Sequence, residues 1–218
     1  SVIYWTILLK NYLNLQAMDT QISFWKKILN PFIQIAGIPA LIYGFAGVCI
    51  TIVLSWITGL HFQGLLHMGW APSNTFTTFL GEHLIIWLIP ALLFYTSGLL
   101  LSHSRIRIVD VLGTTAFAQL PLIATALLCF CKPLQTLIHA TPQDITIEWL
   151  NSPEIMTGAF LALISTVFIV WTLIWMFKAL KVTCNLKGAR LGIAYAVSII
   201  GGDILAVYLI SFLYKINV

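Results

Sequence analysis

The sequence predicts an all-α integral membrane protein with five transmembrane helices, and three observations lead to that prediction. Of the 218 residues, 60% are hydrophobic and only 8% are charged. Soluble domains carry about 25% charged residues, so a water-soluble fold could not cover this much apolar surface. The apolar residues form long continuous runs, which excludes alternating lipid-facing strands. Lys and Arg are concentrated in alternate connections between these runs.

Five apolar stretches are long enough to cross a bilayer as helices, which takes about 20 residues each. Their predicted bounds are 32–60, 84–101, 111–130, 155–177 and 191–214. Pro39, Pro90 and Pro121 fall inside the first three stretches. Because proline removes a backbone donor and clashes with the preceding turn, we expect a kink at each position.

The distribution of basic residues predicts the orientation of the chain. Nine of the eleven Lys and Arg lie before the first helix, between the second and third, or between the fourth and fifth: Lys10, Lys26, Lys27, Arg105, Arg107, Lys178, Lys181, Lys187 and Arg190. The opposite side carries only Lys132 and Lys215. The positive-inside rule therefore predicts a cytoplasmic N-terminus and a C-terminus on the far side.

Residues 1–31 are predicted to form an N-terminal segment that precedes the helical domain 32–218. One helical face in this segment carries apolar residues beside two lysines: Ile22, Trp25, Ile28, Leu29, Lys26 and Lys27. This pattern is typical of a short amphipathic helix on the inner membrane surface, and Asn30-Pro31 would end it. Residues 1–17 precede Met18 and are interpreted as an expression remnant, an upstream mis-start or an interfacial segment.

Small residues recur at a spacing of four in three of the predicted helices. They are Ala36, Ala40 and Gly44, then Gly158, Ala162 and Thr166, then Ser198, Gly202 and Ala206. Such stripes let helix backbones approach closely in lipid. They predict a compact bundle, and they make a homo-oligomeric contact a further candidate.

Asp203 is the most unusual residue because it lies near the centre of the fifth predicted helix. A carboxylate at that depth costs roughly 2.5–3.5 kcal/mol on the insertion scale, so it should face the bundle interior. No Lys or Arg lies within another predicted helix, which leaves a protonated or hydrogen-bonded acid. Gln119 or a threonine of the third helix is its expected partner.

The candidate polar residues inside the membrane are therefore Asp203, Gln119, Thr114 and Thr115. Two roles stay open for the polar third helix, namely interhelical hydrogen bonds that repair a kink and the lining of a polar crevice. For Asp203 the choice is between a structural peg and a working site, since intramembrane acids often serve proton-coupled carriers.

The connections 61–82 and 132–154 are predicted outer loops, the second with a short surface helix at LQTLIHA. His61, His67, Glu82 and His83 fall on this side, and together they would suit zinc. Their spacing matches no established metal motif, so we expect no metal and no cofactor. The motifs HExxH, GxSxG and a glycine-rich phosphate loop are absent, and we expect no enzyme.

The basic residues near the inner ends of the helices are expected to contact lipid phosphates. They are Lys26, Lys27, Arg105, Arg107, Lys187 and Arg190. The net charge of +4 is small, and nothing in its distribution suggests nucleic acid.

Three stretches resemble the Yip1 superfamily, specifically its prokaryotic members. They are ISFWKKI before the first helix, GTTAFAQLPLIATALL in the third, and WTLIWMFKALKVTCNLKGARLGIAYAV across the last two. The resemblance covers roughly residues 20 to 215. It implies five helices, a cytoplasmic N-terminus and, for a prokaryotic member, the inner membrane. This chain has LGTTAFAQLP where many relatives have an aromatic glycine-tyrosine pattern.

Eukaryotic members of that superfamily are non-enzymatic proteins of the secretory pathway that bind small GTPases through a long N-terminal region. That region is short here, so GTPase binding is not expected. The resemblance favours a non-catalytic scaffold or adaptor that binds membrane proteins, lipid or further copies of itself. The alternative is a small transporter or permease component that uses Asp203 and the kinked, polar third helix.

Overall fold

The computed structural model describes residues 28–141 and 144–216. The elements in these residues are, in chain order, a 3-10 turn at Pro31–Ile33, α1 (Gly37–Thr58), β1 (His61–Phe62), β2 (Met68–Gly69), α2 (Phe76–Leu101), α3 (Ile108–Ala118), α4 (Leu122–Leu128), α5 (Lys132–Ile138), α6 (Ile147–Leu150), α7 (Pro153–Thr183) and α8 (Gly188–Ile216). The predicted surface helix lies outside the described residues except for Ile28 and Leu29, which are helical, and residues 1–17 lie wholly outside them.

Within the described residues, five segments are long and apolar enough to cross a membrane, which confirms the five-helix prediction. They are Gly37–Thr58, Phe76–Leu101, Ile108–Leu128, Pro153–Thr183 and Gly188–Lys215. The third is 67% buried, against 39% or less for each of the others. It therefore forms the centre of the bundle, which explains why it is also the most polar.

The three prolines behave differently from one another. Pro39 lies in the first turn of α1, where a backbone N–H has no helical partner, so it does not interrupt that helix as expected. Pro90 lies inside α2. Pro121 follows a break between α3 and α4, where Gln119 and Leu120 donate their N–H groups three residues back, to Ala116 and Phe117. The third span is thus two helices joined by a tight turn.

The small-residue stripes bring helices of this one chain together. A Cβ on Gly44 would meet the backbone of Phe117, so α1 and α3 approach at this point more closely than an alanine would allow. A Cβ on Gly113 would lie 2.8 Å from the backbone nitrogen of Leu41, in the same contact. In α7, Gly158 lies against the carbonyl of Pro133. These close contacts hold the bundle together in the way that such stripes predict.

The predicted surface helix in the second long connection corresponds to α5. Its Leu134 is buried, and the helix packs against α7. Further along, the backbone N–H and the hydroxyl of Thr141 both donate to Oδ2 of Asp144. These hydrogen bonds hold the pKa of the Asp144 carboxyl below its usual value, because they stabilise its charged form.

The first long connection does not form a loop outside the bundle, which is where the prediction placed it. Helix α2 begins at Phe76, eight residues earlier than expected, and the chain before it turns into the bundle as an antiparallel hairpin. We call His61–Gly69 the re-entrant hairpin. Its Phe62 and Leu65 are buried, and Leu65 joins a core cluster that contains Phe94. Non-helical backbone is tolerated at membrane depth only where protein surrounds it.

Candidate functional site

Asp203 contacts the tip of the re-entrant hairpin. Its Oδ1 accepts a hydrogen bond from the backbone N–H of Leu66 at 3.0 Å, and its Oδ2 lies 2.9 Å from Nδ1 of His67. The Asp203 side chain is only 7% exposed, whereas the His67 side chain is 60% exposed. When the imidazole is protonated, this contact is an ion pair.

These partners correct the expectation that Gln119 or a threonine of the third helix would bind Asp203. The prediction failed because it placed the connection after the first helix outside the membrane. Folding of the hairpin into the bundle supplies both a backbone donor and an imidazole. Gly64 makes this approach feasible, since a Cβ at that position would lie 2.6 Å from Oδ1 of Asp203.

Glu82 holds the base of the same hairpin. Its Oε2 accepts the backbone N–H of Phe62 at 3.0 Å, and its Oε1 accepts the hydroxyl of Tyr214 at 2.7 Å. The same Oε1 lies 2.7 Å from Nδ1 of His61, and both of these side chains are fully buried. Buried carboxyl groups are costly unless they are hydrogen-bonded, and Glu82 has three hydrogen-bonding partners.

His61 also contacts Oδ1 of Asn74 through Nε2, at 3.1 Å. Both of its ring nitrogens are therefore within hydrogen-bond distance of a polar side chain. Its ring stacks on Phe79 at a centroid distance of 4.3 Å. Glu82 lies inside α2, which begins at Phe76, and not in the connection 61–82 where the prediction from sequence placed it.

Gln119 repairs the kink of a neighbouring helix. Its Nε2 donates to the carbonyl of Ile86 at 2.9 Å. That carbonyl is four residues before Pro90, which has no N–H to give it. Gln119 is 96% buried and lies at the break in the third span. Its side-chain amide is already used in this hydrogen bond.

Thr114 and Thr115 return their hydroxyl groups to their own helix. Thr114 donates to the carbonyl of Asp110 at 2.8 Å, and Thr115 donates to that of Val111 at 2.7 Å. Both side chains are fully buried. The structure therefore brings neither of them to Asp203.

The four residues considered for zinc separate into different contacts. His61 pairs with Glu82, and His67 pairs with Asp203. His83 directs Nδ1 to the carbonyl of Phe79, at 2.9 Å. In the part of the chain that the structure describes, no three His, Cys, Asp or Glu side chains come close enough to hold one metal ion.

The residues considered for lipid phosphate also differ from one another. Lys26 and Lys27 lie outside the described residues, and Arg105 is exposed. Arg107 lies 3.8 Å from Asp110. Lys187 and Arg190 share the lining of one cavity with His103, which belongs to the same turn as Arg105 and Arg107.

A second cavity, of about 360 Å³, lies between the re-entrant hairpin, α5 and α7. Most of the residues that line this cavity are apolar. The polar ones are Gln63, His67, Ser165 and Thr166. Sequence reasoning missed the hairpin beside it. The signal was present, because GLHFQGLLHMGW is far more apolar than an exposed loop normally is.

A family model described as the Yip1 domain matches residues 23–211. Comparison with curated proteins and with solved structures returned no match. The matched range begins before the first span and ends within α8, so it includes the re-entrant hairpin, both carboxylates and the break in the third span. The five-span architecture agrees with what the resemblance implies. Since the match covers most of its length, this chain belongs to the Yip1 family.

Proposed function

We propose that the protein is a non-catalytic membrane scaffold or adaptor of Yip1 type that binds other membrane proteins and lipid. The observation that carries the proposal is the use of both buried carboxylates to hold the re-entrant hairpin. Glu82 binds the N–H of Phe62, and Asp203 binds the N–H of Leu66. Groups that are occupied in this way brace the bundle and are poorly placed to carry a substrate.

The remaining polar groups of the spans support the same proposal. Gln119 satisfies the carbonyl that Pro90 leaves free, and the threonine hydroxyls return to their own helices. The outer faces of the bundle are apolar instead. In α7 the exposed residues include Met156, Phe160, Leu163, Val167 and Val170. A rigid bundle with apolar outer faces suits contacts with lipid and with the helices of partner proteins.

We also propose that this adaptor lies in the bacterial inner membrane with its N-terminus in the cytoplasm. The Lys and Arg at the connections 102–107 and 184–187 support this orientation, since both connections lie at one end of the bundle. We call this the basic end. The re-entrant hairpin enters from the opposite end.

The test is cross-linking in native membranes followed by gentle extraction and native mass spectrometry. We expect a discrete homo-oligomer or a defined membrane protein to co-purify. The same species should be retained by Asp203→Asn, because asparagine keeps an acceptor for the Leu66 N–H. A monomer that carries a stoichiometric small molecule or ion, with no protein partner, would contradict the adaptor role.

The alternative function is that of a transporter component, and the cavity beside His67 favours it. This cavity reaches the exposed imidazole that covers Asp203, so a polar route to an intramembrane acid begins there. Single cysteines test it after removal of Cys49, Cys129, Cys131 and Cys184. An adaptor predicts labelling by a soluble thiol reagent at Thr166→Cys, which lines the cavity, and protection at Gln119→Cys. Labelling at both would favour transport.

A further inference from the structure

A cavity of about 550 Å³ opens at the basic end, between the α2–α3 connection and the α7–α8 connection. Its volume lies in the range of ligand-binding pockets. The α2–α3 side contributes Ser102, His103 and Ser104 to the wall, and the α7–α8 side contributes Lys187 and Arg190. Sequence positions about 80 residues apart thus form one concave surface.

The charges on this wall have one sign. Lys187, Arg190 and His103 carry the basic groups, and the residues that line the cavity include no Asp or Glu. Asp110, an acid at the same end of the bundle, lies 3.8 Å from Arg107, and neither of these two residues lines the cavity. A concave surface with several basic groups and no acid attracts anions.

The two connections that form the wall are joined to each other. Nδ2 of Asn185 donates to Oγ of Ser104 at 3.1 Å, and the backbone N–H of Ser104 donates to Oγ of Ser102 at 3.1 Å. Asn185 itself has a φ of 49°, a left-handed conformation that asparagine tolerates better than most residues. The two connections that carry the basic groups are therefore linked to each other by a hydrogen bond.

The position of the cavity relative to the spans indicates which anion it takes. Span α2 ends at Leu101, α7 ends at Thr183 and α8 begins at Gly188. The ends of spanning helices lie at the level of lipid headgroups. Leu101 and Leu186 line the cavity beside the basic groups, so it offers an apolar surface next to a cationic one.

We propose that this cavity binds the phosphate group of an anionic membrane lipid. Lys187 and Arg190 pair with the phosphate, His103 and Ser104 donate hydrogen bonds, and the leucines contact the adjoining glycerol and upper acyl carbons. Arg107 takes no part, because it does not line the cavity. The inference deepens the proposed adaptor function by naming a lipid class and the residues that select it.

The experiment compares two double variants of equal charge change in the full-length protein. Lys187→Gln with Arg190→Gln removes the cavity's basic pair, whereas Lys181→Gln with Arg105→Gln removes two exposed charges that do not line it. Binding of phosphatidylglycerol and of phosphatidylcholine is titrated by native mass spectrometry in detergent. Both variants should fold, because all four replaced side chains are exposed. Thermal unfolding checks this.

We expect the cavity variant to bind phosphatidylglycerol at least about tenfold more weakly than the unchanged protein, because each basic residue near the surface contributes to attraction. The control variant should keep the affinity, and phosphatidylcholine should bind weakly throughout. Equal loss in both variants would overturn the inference in favour of a diffuse basic surface. If millimolar glycerol phosphate displaced the lipid and occupied the cavity to the same extent, the ligand would be a soluble phosphate ester and not a lipid.

The same samples separate this inference from the adaptor function. Loss of lipid with retention of the co-purified protein would support the cavity and leave the adaptor role intact. Retention of lipid in the cavity variant would overturn the inference whatever the protein partner does. Absence of a partner with selective loss of lipid would contradict the adaptor role alone.

Discussion

The carboxylate of Asp203 accepts the backbone N–H of Leu66 at 3.0 Å, although the two residues are 137 positions apart. This contact ties the tip of a non-helical segment to the middle of the last spanning helix. A second carboxylate, that of Glu82, holds the base of the same segment through the N–H of Phe62. The two acids therefore share one structural task, which is to hold the re-entrant hairpin.

Replacement of Asp203 by alanine should destabilise the protein by about 1–3 kcal/mol, because the backbone N–H of Leu66 loses its acceptor. Asp203→Asn should cost less than half as much, since the amide oxygen can accept the same hydrogen bond. Unfolding by a denaturing detergent in mixed micelles, followed by circular dichroism, measures both. If the two variants were equally destabilised, the contact with His67 would outweigh the backbone hydrogen bond.

Gly64→Ala should displace the tip of the hairpin. The added Cβ would lie 2.6 Å from Oδ1 of Asp203, where the carboxylate is held by two partners and cannot easily move. Overpacking of this kind costs about 1–3 kcal/mol. Gly69→Ala in the second strand is the matched control, because a Cβ there meets nothing within 4 Å. A hairpin in which both alanines were tolerated equally would not be packed as described.

Gln119 and Pro90 should be energetically coupled. Gln119→Leu leaves the carbonyl of Ile86 without a donor, at a cost of about 1–3 kcal/mol. In a Pro90→Ala background the restored N–H of residue 90 can bind that carbonyl, so the same substitution should cost much less. A double-mutant cycle of unfolding free energies measures the coupling. Additive effects would show that Gln119 contributes nothing specific to the kink.

Tyr214→Phe should weaken the cluster at the base of the hairpin by about 0.5–1.5 kcal/mol, since one hydrogen bond to Glu82 is lost. Glu82→Gln should cost more than Tyr214→Phe, because an amide cannot accept from His61, Phe62 and Tyr214 together. Tyr208→Phe serves as the control, because Tyr208 is 69% exposed on the same helix. If Tyr214→Phe and the control changed the free energy of unfolding equally, the hydrogen bond from Tyr214 to Glu82 would contribute nothing to stability.

Most of the architecture could be predicted from the local sequence. The five spans follow from continuous apolar runs, whose preference for a membrane depends on composition and length alone. The small residues at a spacing of four predict close contacts between helices, and Gly44 and Gly158 both make such contacts. Asp203 and Gln119 stand out because a polar residue in an apolar run is costly wherever the chain folds. The orientation and the extent of the N-terminal segment stay predictions.

The partners of those polar residues were decided by the tertiary structure. Gln119 meets the carbonyl freed by Pro90 across 33 positions, and Asp203 meets Leu66 across 137. No periodicity links such positions, because hydropathy reports how much a residue avoids water and not which neighbour satisfies it. The burial of the hairpin was likewise settled only when two carboxylates from different helices offered acceptors for its backbone. Sequence alone determined that an acid lies inside the membrane, and three-dimensional packing determined what it holds.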